Sequence, residues 1–293
     1  MPSDYLCNLI IPGAAKSGTS SLHEYLGKHP EISMSSNKEP HHFCRDERYI
    51  QGAKKHNELF EQTRGVRYFG ESSTGYLPWV LAAERVARDL ENPKVIMLLR
   101  HPVDRCFSHY RWRYRLGLEK RSFLQALKTD AFGFHPERPK QFGYMAYLEF
   151  SQYERQCAIW ENAVGAENCL MISSNQLLMN RSCVLTRCFD FLGLPQIASS
   201  DASEKFNETA SMGRRSPEWA TKVMKLVPQG LKSSQTYQGV RNLVLKSVAP
   251  TPPLAMTKEE LAFIQDALTD DISWFEARFG QSNSALPEFR KIK

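Results

Sequence analysis

The chain has 293 residues, of which 42% are hydrophobic and 24% are charged, so it can bury a substantial core without disulfides or metal. Its net charge of +6 is modest and the Lys and Arg residues are dispersed, which argues against a chain built to bind nucleic acid. Seven cysteines without a Cys-x-x-Cys pair and apolar runs of only strand length argue against a disulfide scaffold, a zinc site and a membrane span.

The first predicted element is a buried strand over residues 5–11, an apolar run that leads into a loop of small and hydroxyl residues. Leu22 and Leu26 follow at helical spacing, so the loop joins a strand to a helix. Hydroxyl side chains at a helix start are expected to cap its free N–H groups, and the helix dipole favours an anion there. The loop and first-turn residues concerned are Gly13, Lys16, Ser17, Gly18, Thr19, Ser20 and Ser21. A glycine lets the backbone approach a phosphate and Lys16 adds a positive charge, so we favour a phosphate cradle over an ordinary turn.

Further strands and helices alternate along the rest of the chain. The predicted strands lie at 31–34, 66–71, 94–99 and 169–172, and the predicted helices lie at 78–90, after Pro102, at 144–164, around 177–178, at 183–192 and from Thr257 onward. The continuous apolar character of 94–99 is typical of a strand covered on both faces. This alternation predicts an α/β protein, a single domain over residues 1–293 with a central parallel sheet flanked by helices.

The position of the lysine separates two kinds of phosphate loop. A Walker A loop has the pattern G-x-x-x-x-G-K-[ST], and Gly13, Gly18 and Ser20 fit it. Thr19 stands where that lysine belongs, however, and Lys16 lies upstream within the loop. This departure weakens the interpretation as a P-loop nucleotide kinase, which would turn over ATP with magnesium.

A second anion site is predicted where the strand at 94–99 ends. Ligands of open α/β sheets bind beyond the carboxyl ends of strands, and Arg100 follows this strand directly. Ser108 comes two helical turns later and faces back if its helix packs on the sheet. An arginine and a hydroxyl make a good phosphate-binding pair, whereas a kinase strand would end in an Asp that holds magnesium. We therefore expect direct anion binding and no metal.

These segments resemble those of sulfotransferases that use 3′-phosphoadenosine 5′-phosphosulfate (PAPS), nearest to the heparan-sulfate-type and bacterial enzymes. The loop around Lys16 is similar to their 5′-phosphosulfate loop, and Arg100 with Ser108 matches their 3′-phosphate segment. Residues 38–43 (Lys-Glu-Pro-His-His-Phe) and 71–76 (Glu-Ser-Ser-Thr-Gly-Tyr) resemble the Lys-Glu-x-His-Phe-Phe and Glu-x-(Ser/Thr)-x-x-Tyr segments of heparan-type members. The resemblance spans most of the chain and implies a Rossmann-like P-loop sulfotransferase fold.

The resemblance also implies roles for individual residues. Lys16 is implied to stabilise the leaving phosphate, Glu39 to be the base, and His41 to orient the substrate or assist. His42 stands where the family has Phe and receives no role. PAPS is the implied cofactor, with adenosine 3′,5′-bisphosphate (PAP) as its product and no metal required. The residues implied to hold it are Lys16, Ser17, Gly18, Thr19, Ser20, Ser21, Arg100 and Ser108.

Two departures from the family pattern bear on the acceptor and on the late cofactor loop. Ser72 stands where heparan-type enzymes have a Lys on the acceptor side, which argues against a sulfated polysaccharide as acceptor. The late loop is not clear in this chain, and Arg214 and Arg215 either replace it as cofactor ligands or form a solvated surface pair. Residues 129–143 and 196–255 are expected to form the acceptor side.

The combined prediction is a sulfotransferase that moves a sulfuryl group from PAPS to a hydroxyl, or an amine, of a small molecule such as a natural product. We expect it to be cytoplasmic, because the N-terminus lacks a basic segment, and to have no nucleic-acid or membrane partner. Besides the kinase, the alternative is a non-catalytic nucleotide- or nucleic-acid-binding module, for which residues 111–115 (Arg-Trp-Arg-Tyr-Arg) are the local signal. We favour a helix there that buries its aromatics and covers the site with arginines.

Overall fold

The computed structural model describes residues 4–130, 146–197 and 255–280, and the statements below concern those residues. They contain a five-stranded sheet in the order β2-β3-β1-β4-β5, and every neighbouring pair of strands is parallel. The strands are β1 (Leu9–Ile11), β2 (Ile32–Met34), β3 (Tyr68–Ser72), β4 (Lys94–Leu99) and β5 (Cys169–Ser173). Because the strand order reverses at β1, the loops that follow β1 and β4 border the crevice where ligands of such sheets bind.

Helices connect the strands and cover the sheet. They are α1 (Thr19–Leu26), α2 (Asp46–Tyr49), α3 (Gly52–Asn57), α4 (Val80–Asp89), α5 (Pro102–Leu116), α6 (Phe123–Asp130), α7 (Tyr153–Val164), α8 (Ser174–Met179), α9 (Arg181–Leu192), α10 (Lys258–Ala267) and α11 (Thr269–Phe279). The predicted α/β class with a parallel sheet flanked by helices is confirmed, as are all five predicted strand positions.

The core lies on both faces of the sheet because successive side chains of a strand point to opposite faces. Met97 of β4 packs into the cluster that contains Trp79, just before α4, and Trp160 of α7. Leu98, the next residue, packs into the cluster of α1 and α9 that contains Phe189. Both strand residues are completely buried, as expected for the continuous apolar run that the sequence shows.

Two helix boundaries differ from the sequence prediction. The helix expected at 144–164 begins only at Tyr153, because Asp130 accepts hydrogen bonds from the amides of Tyr147 and Leu148 and the buried guanidinium of Arg105 donates to the Tyr147 carbonyl. Backbone groups held in this way cannot enter a helix.

The final helix begins at the predicted capping box but is broken once. Thr257 accepts a hydrogen bond from the amide of Glu260, and the Glu260 side chain accepts one from the amide of Thr257. Leu268, with φ −125° and ψ 27°, then separates α10 from α11. The residues before and after the break therefore form two helices rather than one.

Candidate functional site: an anion-binding loop beside a held carboxylate

The loop after β1 is fixed by backbone hydrogen bonds on both sides. The amide of Ala14 donates to the Leu98 carbonyl (2.7 Å), and the amide of Leu98 donates to the Gly13 carbonyl (2.9 Å). On the other side, the amide of Leu77 donates to the Pro12 carbonyl (2.8 Å). A side chain at position 13 would be crowded, because a Cβ there would lie 2.7 Å from the Cβ of Leu77. Glycine therefore lets the loop lie directly against its neighbours.

The start of α1 has no side-chain cap at its capping position. Gly18 precedes the helix in the left-handed region, with φ 96°, and offers no side chain as a cap. The prediction that hydroxyl side chains cap this helix is therefore wrong at the capping position. Thr19 is buried, and Ser20 and Ser21 are half-buried in the first turn. Uncapped N–H groups at a helix start are suited to hold an anion.

Ser17 supplies an independent sign that the loop is built around a polar group. Its side chain is buried near the Tyr153 hydroxyl, and within the described residues neither hydroxyl makes a hydrogen bond of normal geometry. A buried hydroxyl without a partner is unfavourable by about 1–3 kcal/mol. A phosphate oxygen in the loop would accept its hydrogen bond, so the residues present fit the phosphate of PAPS.

Lys16 lies within this loop, in a strongly positive environment. Its backbone has φ 70°, and its ammonium lies 5.3 Å from the centroid of the Trp112 ring, where the π face attracts a cation. Burial, together with the positive charges of Arg100, Arg115 and Lys38, lowers the pKa of Lys16 from 10.5 to about 8. Four like charges that face one another in this way favour an anionic ligand.

Arg100 and Ser108 lie on the β4 side of the crevice. The guanidinium of Arg100 donates a long hydrogen bond (3.4 Å) to the Lys16 carbonyl, and burial lowers its pKa from the ordinary value. Ser108 is half-buried on α5, four residues before Trp112 and therefore on the same face of that helix. Since Trp112 packs under Lys16, the structure brings the two predicted anion segments to one place.

The Glu39 carboxylate is held by several donors. The amide of Thr74 donates to Oε2 and the hydroxyl of Thr74 to Oε1, both at 2.9 Å, while Lys38 Nζ donates to Oε1 at 2.8 Å. Burial raises the pKa of Glu39, but Lys38, His41 and Thr74 outweigh it and hold the pKa below 4.5. Glu39 is therefore ionised at neutral pH, as a general base must be.

The two neighbouring histidines have different surroundings. His41 Nε2 lies 3.5 Å from Glu39 Oε2, and burial lowers its pKa below 6.5, so the ring is predominantly neutral at pH 7. His42 is packed among aromatic rings and bonds to the Tyr5 hydroxyl at 3.0 Å. Burial lowers the pKa of His42 to about 4. His41 is thus near the carboxylate, whereas His42 belongs to the core.

Glu71 organises the segment that carries Glu39 and His41, a role that the sequence analysis did not assign. Its buried carboxylate accepts hydrogen bonds from the hydroxyls of Ser73 and Tyr76, each at 2.9 Å. These hydroxyls in turn accept the amides of His41 (3.0 Å) and Phe43 (3.1 Å). In the sequence, the spacing Glu-x-Ser-x-x-Tyr is the pattern that indicates this network, because it places all three side chains on one strand and the turn that follows it.

Cys7, His56 and Glu71 are the cluster of metal-ligand type within the described ranges, with their ligand atoms within 4.8 Å of one another. His56 Nε2 is bonded to Glu71 Oε1 at 3.2 Å, and the same carboxylate already accepts the two hydroxyl hydrogen bonds above. All three residues are buried in the core. We therefore interpret the cluster as the anchor of the Glu71 network and not as a metal site.

Some predicted site residues lie outside the described residues. These are Arg214 and Arg215, and most of the segments 129–143 and 196–255 that were expected on the acceptor side. Within the described part, Arg113 of the basic stretch 111–115 is buried and donates to the Leu118 carbonyl. Since Arg113 is directed inward and Trp112 packs under Lys16, this stretch serves the core and the site.

The fold is that of an α/β protein in which Lys and Arg side chains and a helix N-terminus lie at the carboxyl ends of parallel strands, an arrangement suited to an anionic group. The family profile described as "Sulfotransferase domain" matches residues 7–227. The chain therefore belongs to the sulfotransferase family, and the predicted resemblance is confirmed.

Curated relatives carry the same family name. "Membrane-associated sulfotransferase kil1" of Dictyostelium discoideum is 38% identical over 108 residues, which are 36% of this chain and 22% of that protein. "Heparan sulfate glucosamine 3-O-sulfotransferase 3B1" of Mus musculus is 27% identical over 211 residues, which are 71% of this chain and 51% of that protein. The chain thus spans about half or less of the length of these relatives.

Solved structures agree on the fold. A sulfotransferase from Alicyclobacillus acidocaldarius matches with a TM-score of 0.59 and 28% identity, covering 69% of this chain and 87% of that one. Mouse sulfotransferase SULT7A1, solved in complex with PAP, matches with a TM-score of 0.51 and 14% identity, covering 96% of this chain and 91% of that one. The predicted sulfotransferase fold is confirmed.

Across residues 4–130, 146–197 and 255–280, none of the helices combines the length and the apolar character that a membrane crossing requires.

Proposed function

We propose that the chain is a PAPS-dependent sulfotransferase of the EC 2.8.2 class, which moves a sulfuryl group to a hydroxyl, or an amine, of an acceptor. The observation that carries this proposal is the meeting of Lys16, Arg100 and the Lys38–Glu39 pair at one end of the sheet. Three cations there suit a multiply charged donor, and the carboxylate beside them suits a proton acceptor.

On the donor side, the chain supplies fixed positive partners. Lys16, Ser17 and the first N–H groups of α1 would bind the 5′-phosphate, and Lys16 would stabilise the charge that develops on its leaving oxygen. Arg100 and Ser108 would bind the 3′-phosphate through a planar donor fork and a hydroxyl. When bound, PAPS supplies the activated sulfuryl group. Arg100 follows β4 where a kinase would have its magnesium-binding Asp, which favours a donor held without metal.

On the acceptor side, Glu39 would accept the proton of the attacking hydroxyl. It is ionised at neutral pH and held in a fixed orientation, so it would accept the proton without a conformational search. His41 is neutral and lies beside the same carboxylate, where it would orient the acceptor.

A small-molecule acceptor, such as a natural product, is favoured by Ser72. Its side chain is buried, and its Oγ bonds to His23 Nδ1 at 2.9 Å. Burial lowers the pKa of His23, so this position carries a neutral pair where heparan-type relatives are expected to present a lysine. All seven cysteines are free, which fits a reducing compartment such as the cytoplasm.

The first test is calorimetric titration of PAP and of ATP, each with and without magnesium. We expect the protein to bind PAP without metal and more tightly than it binds ATP. The proposed site offers two positions for phosphate groups, and β4 is followed by Arg100 where a kinase would have a magnesium-binding carboxylate. Lys16→Ala should weaken PAP binding about 10- to 100-fold, the usual contribution of a charge-assisted hydrogen bond. Lys28→Ala, which removes an exposed lysine beyond the other end of α1, is the matched control and should leave PAP affinity unchanged.

The second test is transfer of radiolabelled sulfate from PAPS to a panel of a phenol, an aliphatic alcohol, an amine and heparan sulfate. Transfer to a small acceptor but not to the polysaccharide would support the proposal in full. Magnesium-dependent preference for ATP in the first test would instead support the kinase. Absence of nucleotide binding would refute both.

A further inference from the structure

Thr74 contacts both oxygens of the Glu39 carboxylate. Its amide reaches one carboxylate oxygen and its hydroxyl reaches the other, each at 2.9 Å, although the two residues are 35 positions apart in the chain. Thr74 itself is buried, and the amide of Glu39 donates to the carbonyl of Ser72 at 2.9 Å. The turn after β3 therefore holds both the backbone and the side chain of Glu39.

The two Thr74 bonds constrain the carboxylate more than the ion pair with Lys38 does. Lys38 is the neighbouring residue, and its ammonium reaches Oε1 on a flexible four-carbon side chain that is 24% exposed. A backbone N–H, by contrast, cannot rotate away, and a threonine hydroxyl has a single rotatable bond to place it. Two donors on different oxygens fix the plane of the carboxylate as well as its position.

The charged and titratable groups that interact with Glu39 include Lys38, His41 and the thiol of Cys44, all close to it in the chain. Lys38 favours the ionised carboxylate, and so does any positive charge on His41. Burial opposes ionisation of Glu39, so the hydrogen bonds from the neutral donors of Thr74 also help to keep the pKa of Glu39 low.

We propose that Thr74 is the positioning residue of the catalytic base, which keeps the Glu39 carboxylate ionised and fixes its orientation toward the acceptor. The proposal rests on the proposed function in so far as Glu39 takes the acceptor proton. It assigns to the turn after β3 a part in the reaction rather than only in the fold.

The experiment is a carboxyl-carbon NMR titration of protein labelled with ¹³C at Glu Cδ, in which Glu39→Gln identifies the Glu39 signal. Thr74→Val keeps the shape and the amide but removes the hydroxyl, and we expect it to raise the pKa of Glu39 by about half a unit to one unit, since a hydrogen bond to the charged form is lost. Thr74→Ser restores the hydroxyl and is expected to restore the pKa. Thr186→Val, exposed on α9, is the matched control.

A parallel measurement follows PAPS-dependent sulfation of 4-nitrophenol and the affinity for PAP. Thr74→Val is expected to lower the transfer rate about 10-fold or more while PAP affinity stays within a factor of two, and to move the acid limb of the pH–rate profile to higher pH. An unchanged Glu39 pKa in Thr74→Val would overturn the proposal whatever the activity. Failure of the wild type to bind PAP would overturn the proposed function instead, and the NMR result would still decide the role of Thr74 toward Glu39.

Discussion

The lowered pKa of Lys16 is expected to make nucleotide binding depend on pH between about 7 and 9. Lys16 has a pKa of about 8 because it is buried among Arg100, Arg115 and Lys38. The phosphates of PAP, whose second pKa is about 6, are already about 90% ionised at pH 7 and change little above it, and arginines keep their charge. A fall in affinity between pH 7 and 9 would therefore report the loss of the Lys16 proton.

The size of the effect follows from the protonated fraction. With a pKa of about 8, Lys16 is about 90% protonated at pH 7 and about 10% protonated at pH 9. If the protonated form carries the full affinity, the Kd for PAP rises about 10-fold over this range, or about 1.4 kcal/mol. Binding at pH 8 to 9 should also take up a proton, because the bound anion raises the pKa of Lys16 again.

Calorimetry at several pH values, each in two buffers of different ionisation enthalpy, measures both the affinity and the proton uptake. Lys16→Arg is the matched variant, because its guanidinium stays charged and should give an affinity that is nearly constant from pH 7 to 9. The same pH dependence in Lys16→Arg as in the wild type would refute the reasoning, as would a flat profile in the wild type.

Three further predictions concern the loop, the network and the base. Gly13→Ala places a Cβ 2.7 Å from that of Leu77 and should destabilise the protein by about 1–3 kcal/mol, seen as an earlier thermal transition; an unchanged transition would show that Leu77 moves freely. Glu71→Gln leaves one of the donors around that buried carboxylate without an acceptor and should cost about 1–3 kcal/mol in urea unfolding, with faster amide exchange at Phe43. Slow exchange there in the variant would contradict the role of the network. Glu39→Gln should lower sulfate transfer about 10²- to 10⁴-fold with PAP affinity unchanged, and full transfer activity would remove Glu39 as the base.

Local pattern in the sequence was enough to predict the sheet, and with it that the candidate site residues would lie near one another. Each strand is an apolar run of strand length, and the run at 94–99 is buried on both faces because it lies inside a parallel sheet. Residues that follow such strands are expected to lie near one another whatever the strand order, because parallel strands present their carboxyl ends at one edge of the sheet. The positions of Lys16 and Arg100 followed from this rule.

Local pattern failed where a distant group competes for the backbone. The helix expected from 144 begins at Tyr153 because Asp130 and Arg105 form hydrogen bonds with the peptide groups of Tyr147. Both partners are at least 17 residues away from Tyr147 in the chain. At α1, nearby hydroxyls suggested a cap, but the capping position is Gly18, which has no side chain to accept from the first N–H groups.

The sequence by itself determined the α/β class, the candidate anion-binding loop and the identity of the groups that could carry charge or a proton. Only the tertiary structure decided which of them act together: Thr74 on Glu39, Trp112 under Lys16, and Glu71 behind the segment that carries His41. The physical reason is that a side chain's chemistry belongs to its residue, whereas its pKa and its orientation depend on neighbours that the order of the strands brings near.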